Sequence, residues 1–319
     1  MRNACATVCV PLIVTMIKMA GHARQYSFHR LAHGSSLPVF IICAAIILIW
    51  YAGAILLNSP VLQSGYDREG RTVSFSERVA NAWAMERPIL PAPHQVVEEL
   101  NKSLLQRPIS SPRSLVYHAW VTLSSALLGF VLGSALGIVL AIGIVQVPTL
   151  RRSLMPWIIA SQTVPILAIA PMIIVVLGSI GFTGLVPKAI ISAYLCFFPV
   201  TIGMVKGLTS PDTIHLDLMR TYSASAAQTF WKVRWPSSLP YLFTSLKIAV
   251  ALAITGAIVG ELPTGAQAGI GARLLSGSYY GQTIQIWAAL IVASVLAALA
   301  VSAVGLAGAI TTRRMGGQS

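Results

Sequence analysis

Charge is what this sequence lacks most. Only 10% of its 319 residues are charged, and nine acids stand against 22 bases. A soluble surface of this extent needs more charge than that. With 55% hydrophobic residues and a mean hydropathy of +0.76, the chain belongs with polytopic membrane proteins. Cysteine is sparse as well: Cys5, Cys9, Cys43 and Cys196 fall at no metal-ligand spacing, and two lie in apolar runs where a thiol behaves as a small hydrophobe. No metal site and no cofactor are expected. The chain has no G-x-x-x-x-G-K-[ST] loop, so it cannot cradle nucleotide. Its apolar runs hold no paired Asp, no Ser with His or Lys and no His/Glu metal set, which argues against an intramembrane enzyme and leaves no catalytic residue to name. The net charge of +13 is scattered between apolar runs and forms no basic patch with interleaved aromatics, so nucleic acid is not the partner. The lipid bilayer is.

A bilayer core takes about 20 apolar residues as helix. Runs of that kind occur at 37–57, 121–147, 154–178, roughly 188–206, 239–259 and roughly 284–310, the fifth tolerating Lys247. The expected fold is all-α, a polytopic membrane protein with six transmembrane helices. The first 20 residues have a basic start and a short apolar centre, but Lys18 interrupts it and no clean small-residue cleavage site follows. They are read as part of a cytosolic extension, 1–36, rather than a cleaved signal peptide. With that end inside, Arg2, Lys18, Arg24, Arg30, Arg151, Arg152, the basic stretch from Arg220 to Arg234, and Arg313 and Arg314 share the cytosolic side. The opposite side receives Lys188, Arg273 and the segment 58–118, whose seven bases and six acids nearly cancel. The expected order is extension (1–36), first span (37–57), outer segment with a surface helix (58–118), five-helix core (119–312) and tail (313–319), both termini cytosolic.

Two segments look built for more than crossing lipid. In the second span, Gly129, Gly133 and Gly137 make overlapping small-xxx-small steps that let another helix approach closely, and they suggest a homodimer. The stretch DLMRTYSASAAQTFWKVRWP, starting at Asp217, is a small amphipathic module within 207–236. Thr209 or Ser210 can cap its first helix, with Pro211 and Asp212 in the first turn. A break is expected around Ser223, because Ser225 and Gln228 have capping-box spacing for a second short helix, which Pro236 and Pro240 should end.

Here the sequence resembles a family, the inner-membrane subunits of binding-protein-dependent ABC importers, whose cytosolic loop has the form E-A-A-x-x-x-G, nine residues, I-x-L-P. Counting back from Pro236 places Trp235 at Leu, Val233 at Ile, Ser223 at Gly, and Asp217, Leu218 and Met219 at Glu-Ala-Ala. LPAPHQVVEEL, SQTVPILAIAPMIIVVLGSIG and VRWPSSLPYLFTSLKIAVALAITGAIVGEL further resemble the nitrate, sulfonate and taurine type, and the likeness covers roughly 85–310. The resemblance implies a type I permease fold. It also implies a bacterial inner-membrane location, two cytosolic ATPase subunits, a periplasmic or lipid-anchored substrate-binding protein, and a second permease copy. Its solutes are small oxyanions or pyrimidine and thiamine-precursor heterocycles, and ELPTGAQAGIGARLLSGSYYGQ looks closer to the heterocycle branch. The residues implied in coupling to the ATPase are Asp217, Arg220, Ser223, Ala224, Ser225, Gln228, Phe230, Trp231, Val233 and Pro236. Phe230 and Trp231 are read as apolar contacts, with Arg220 and Lys232 at the rim; an interfacial membrane anchor is the alternative for the same residues.

Pro165 and Pro171 break the ladder of the third span and suggest a kinked, pathway-lining helix, with plain packing as the alternative. Glu261, the one acid near a span, is read either as a gate or pathway residue or as a helix-end acid wetted by headgroups. Lys247 either snorkels or pairs across a dimer. His118 has no partner at ligand spacing and receives no role. A stand-alone secondary transporter or channel would explain the spans but not the module, and no inverted repeat is visible.

Overall fold

The computed structural model describes residues 36–70, 72–109, 111–263 and 268–315. The N-terminal extension with its basic residues, Cys5 and Cys9, residues 264–267 of the glycine-rich segment and the end of the tail lie outside the described residues. Every regular element among those described is helical. Two compact units divide after Pro93.

The first unit carries α1 (Ser36–Glu69) and α2 (Phe75–Ala84). At 1.5 Å per residue, the 34 residues of α1 extend about 50 Å, well beyond a hydrocarbon core of about 30 Å. The helix therefore continues past the apolar run that stops at Leu57, through Pro60, into the charged residues Asp67 to Glu69. Its apolar half stays exposed, as a lipid-facing surface requires. Asn58, fully buried, organises the corner. Its amide donates to the carbonyls of Ala82 (3.1 Å) and Leu90 (3.0 Å) and accepts from the N–H groups of Ile89 (2.8 Å) and Leu90 (3.2 Å). Trp50 Nε1 donates to Pro91 O at 2.9 Å.

The division falls at the first residue of α3 (Pro93–Asn101), which otherwise belongs to the second unit and runs on as a π-helical turn over Lys102–Gln106. There follow α4 (Leu115–Gln146), α5 (Pro148–Ser161), α6 (Ile166–Ser179), α7 (Leu185–Leu208), α8 (Thr213–Thr221), α9 (Ala226–Thr229), α10 (Trp235–Glu261), α11 (Ile270–Tyr279) and α12 (Thr283–Arg314). Among the described residues, five stretches are long and apolar enough to cross a membrane: Leu37–Glu69, Leu115–Gln146, Leu185–Leu208, Ala226–Glu261 and Thr283–Arg314. The count reaches six if α5 and α6 are one broken span, bent by 99°. The third apolar run thus breaks at Pro165, which sits just ahead of α6 and pushes Val164 out of helical geometry, whereas Pro171 is carried inside α6. Both prolines are exposed.

Small residues hold α4, α7 and α10 together. A Cβ on Gly129 would lie 2.3 Å from Ser192 Cβ and 2.5 Å from Ala189 O, and one on Gly133 would lie 2.6 Å from Ala193 O. No side chain fits there, so the glycine stripe of α4 is filled by α7 of the same chain. This corrects the expectation drawn from it: the stripe gives no argument for a second copy. Across the other face of α7, Ser192 Oγ donates to Ala253 O at 3.0 Å and Cys196 Sγ to Ala249 O at 3.1 Å. In lipid such bonds and close backbone contacts replace the hydrophobic drive that packs soluble helices.

Candidate functional site

At one end of the spans, α7 stops at Leu208 and the chain turns into the amphipathic module. Helix α8 starts at Thr213 with Asp212 at its N-cap position, a few residues later than Thr209 or Ser210 would have begun it. It ends in a two-bond motif: Ala224 N–H donates to Met219 O (2.9 Å) and Ser223 N–H to Arg220 O (2.8 Å). That pattern needs a left-handed residue one position past the cap, and Ser223 supplies it at φ +54°, alone among the described non-glycine residues in having positive φ. The position is the one where the family pattern carries glycine. Replacing Ser223 by Gly should stabilise the turn by about 1 kcal/mol, the left-handed penalty for an L side chain net of glycine's entropy. Amide exchange across 213–230 would read this as slower opening, and unchanged or faster exchange would contradict it.

The expected capping box is present: Gln228 N–H donates to Ser225 Oγ (3.2 Å) and Ser225 N–H to Gln228 Oε1 (2.9 Å). The expected stop is not. After α9 the helix passes through a π turn, Phe230–Arg234, directly into α10, with Pro236 in the first turn and Pro240 inside. Both prolines therefore stand within one continuous helix, Ala226–Glu261, each omitting a ladder hydrogen bond without ending it, as membrane helices allow. Arg234 Nη1 donates to Leu208 O at 3.2 Å, fastening this end of the module to the end of α7.

The residues assigned to coupling divide into two groups. Asp217, Arg220, Ser223, Ser225, Gln228 and Trp231 are exposed; Ala224, Val233 and Pro236 are half-buried. Phe230 differs from its expected outward position. It packs on the core of the unit beside Trp235, ring centroids 6.0 Å apart, because the helix runs on and turns it inward. Arg220 pairs with Asp217 at 3.0 Å on the open surface. The apolar area offered outward comes from Ile214 (76% exposed), Leu218 (52%), Tyr222 (76%) and Trp231 (62%). Ile214, Leu218 and Tyr222 stand four apart, on one helical face, a spacing that the sequence itself carries.

At the opposite end, Glu261 closes α10 and is completely buried. It neither meets headgroups nor lines an open path. Thr122 Oγ1 donates to its carboxylate (2.9 Å), Gly271 N–H donates to Oε2 (2.8 Å), and Lys188 Nζ lies 3.6 Å from Oε1. Thr122 in turn accepts from Ile270 N–H at 2.8 Å, Lys188 Nζ donates to Ala268 O at 3.1 Å, and His118 Nδ1 accepts from Gly269 N–H at 3.0 Å. Gly269, at φ +127°, leaves no room for a side chain: a Cβ would lie 2.1 Å from the carboxyl carbon. The cluster ties α4, α7 and α10 to the start of α11. His118, given no role above, belongs to it, its Nε2 facing Pro112 O at 2.9 Å. The neutral donors satisfy the lone pairs of Glu261, but only Lys188 is paired with its charge, and removing one member of such a buried pair costs about 3–5 kcal/mol. Lys247 is exposed, its stem passing Gly305 on α12.

Beside the cluster lies a cavity of about 760 Å³ between the start of α4, the end of α6 and the start of α7, with Tyr117, Trp120, Ser124, Phe182, Thr183 and Lys188 in its wall. On α11, burial and the charges of Arg107 and Arg113 hold the Arg273 guanidinium below its ordinary pKa, with Glu99 opposing them. These three arginines are not part of the cavity wall.

Residues 133–316 match the profile of the binding-protein-dependent transport system inner membrane component. The chain is similar to the formylaminopyrimidine transport permease protein ThiX of Halalkalibacterium halodurans, 34% identical over 184 residues, 57% of this chain and 68% of that one. It is also similar to the riboflavin transport system permease protein RibX of Chloroflexus aurantiacus (32% over 186 residues; 58% and 65%). The putative aliphatic sulfonates transport permease protein SsuC of Bacillus subtilis is 30% identical over 220 residues, 68% of this chain and 75% of that one.

Proposed function

This chain belongs to the family of inner membrane components of binding-protein-dependent transport systems, and on that premise we propose that it carries a small solute of the heterocycle or sulfonate kind, handed over by a receptor, through a pathway completed by a second permease copy. It is a multi-pass ABC importer permease, not an enzyme; ATP is hydrolysed by a separate subunit. A pathway between copies is favoured because α4, α7 and α10 are packed solid by glycine, serine and cysteine and leave no lumen among themselves. We place the module, with both termini, on the cytosolic side, and the Glu261 end facing the receptor; the arginines and lysines flanking the spans support that orientation.

The observation that carries the reading is the module itself: a rigidly capped helix–turn–helix at one end of the spans, presenting Ile214, Leu218, Tyr222 and Trp231. An apolar helix surface that engages an ATPase differently in its two states passes ATPase closure to the spans. Co-expression with the cognate ATPase subunit and receptor tests this. The ATPase should co-purify with two permease copies, and hydrolysis in proteoliposomes should rise when solute-loaded receptor is added. Uptake by the permease alone without ATP would make it a stand-alone transporter instead.

A further inference from the structure

The cavity beside Glu261 has a chemistry that selects among the solutes of the family, and its net charge is the first discriminator. Among the described residues Lys188 is the one charged side chain in the wall, and its ammonium already faces the buried Glu261 carboxylate behind it and donates to Ala268 O. An oxyanion drawing Lys188 away would strand Glu261 as an unpaired buried charge, so the wall behaves as neutral. The serine hydroxyls are spent in the same sense. Ser124 Oγ donates to Val121 O (2.9 Å), and Ser125 Oγ shares its one proton between Val121 O (3.2 Å) and Thr122 O (3.0 Å). What the half-buried Ser124 turns to the cavity are lone pairs, which accept from N–H groups and repel oxyanions. Tyr117, Trp120 and Phe182 bring flat aromatic surface, and the volume of about 760 Å³ lies in the range of small-molecule sites.

Resting on the permease reading above, we infer that this cavity is a way-station for the transported solute, and that it takes an uncharged planar heterocycle bearing amino or amide N–H groups in preference to a sulfonate or other oxyanion. The ring stacks on the aromatic wall, its N–H groups donate to the Ser124 oxygen, and the Tyr117 and Thr183 hydroxyls answer its ring nitrogens. The Lys188–Glu261 pair sets the neutrality of the wall without being spent on the ligand.

The test is alkylation of Ser124→Cys by a maleimide, with the four native cysteines replaced, in the permease–ATPase complex in nanodiscs without receptor. Protection follows 1 + [L]/Kd, so formylaminopyrimidine at ten times its Kd should slow labelling about tenfold, and methanesulfonate at equal concentration should leave it unchanged. Trp120→Ala in the same background should remove most of the protection. Equal or better protection by methanesulfonate, or none by formylaminopyrimidine up to its solubility, overturns the inference. Should Ser124→Cys assemble poorly, Thr183→Cys in the same wall serves as the reporter. A complex that holds its ATPase but shows no protection sinks the cavity reading alone, whereas a permease that never retains an ATPase sinks the permease reading first.

Discussion

Leu218→Ala together with Trp231→Ala should leave the chain inserted and folded while abolishing ATPase co-purification and receptor-stimulated hydrolysis. Both side chains are more than half exposed, on the module's outer surface. Alanine suits helix α8, and neither residue contributes to the core cluster, so the cost to the free permease is small. Burying a leucine fully is worth about 1.5–3 kcal/mol, and a tryptophan at the centre of an interface contributes about 2 kcal/mol or more. A joint loss of about 4 kcal/mol weakens docking by roughly a thousandfold. Phe230→Ala is the wrong probe despite its place in the motif, because the ring packs on the core and its loss would open a cavity there. The competing role for the same surface is an interfacial membrane anchor, since tryptophan and basic residues favour the headgroup region. Insertion assayed by protease protection, and coupling by pull-down and stimulated hydrolysis, separate the two. If the double variant inserts and still binds and stimulates its ATPase, the module is an anchor.

What the sequence could and could not disclose follows from the range of the interactions involved. Span positions are legible because hydropathy is local, but helix ends are not: α1 overruns its apolar stretch by twelve residues, since a helix does not stop where lipid does. The capped turn at 222–228 is legible for the same local reason, its signals lying within six residues. Pro236 and Pro240 misled because both are carried inside one continuous helix, Ala226–Glu261, and a membrane helix packed among its neighbours tolerates a missing ladder N–H. The glycines of α4 announce a close neighbour without naming it, and that neighbour is α7 of the same chain. Asn58, His118 and Glu261 are harder still. Asn58 reaches partners 24 to 32 residues away, Glu261 meets Thr122 across 139 residues, and His118 meets Gly269 across 151. One sequence contains no signal of such pairings. The usable hint was negative: an acid or amide inside an apolar region needs a partner, whichever it is.

Glu261→Gln and Lys188→Met should each destabilise the permease by about 3–5 kcal/mol, and the two together should cost much less than the sum. Glu261→Gln keeps the size of the side chain but leaves Lys188 without a counter-charge; with its oxygen placed to accept from Thr122 Oγ1 and Gly271 N–H, its NH2 donor faces the Lys188 ammonium. Lys188→Met keeps the length and apolar stem while removing the charge paired with Glu261, whose carboxylate is entirely out of solvent, and the bond to Ala268 O. The double variant carries no buried charge and loses only neutral hydrogen bonds, worth about 0.5–1.5 kcal/mol each. Equilibrium unfolding of all four chains in mixed micelles gives the cycle directly. A coupling of about 2 kcal/mol or more identifies the pair as the electrostatic lock of the α4–α7–α10 end; single costs that simply add would mean that Thr122 and Gly271 hold Glu261 by themselves and that Lys188 is bound only to the Ala268 carbonyl.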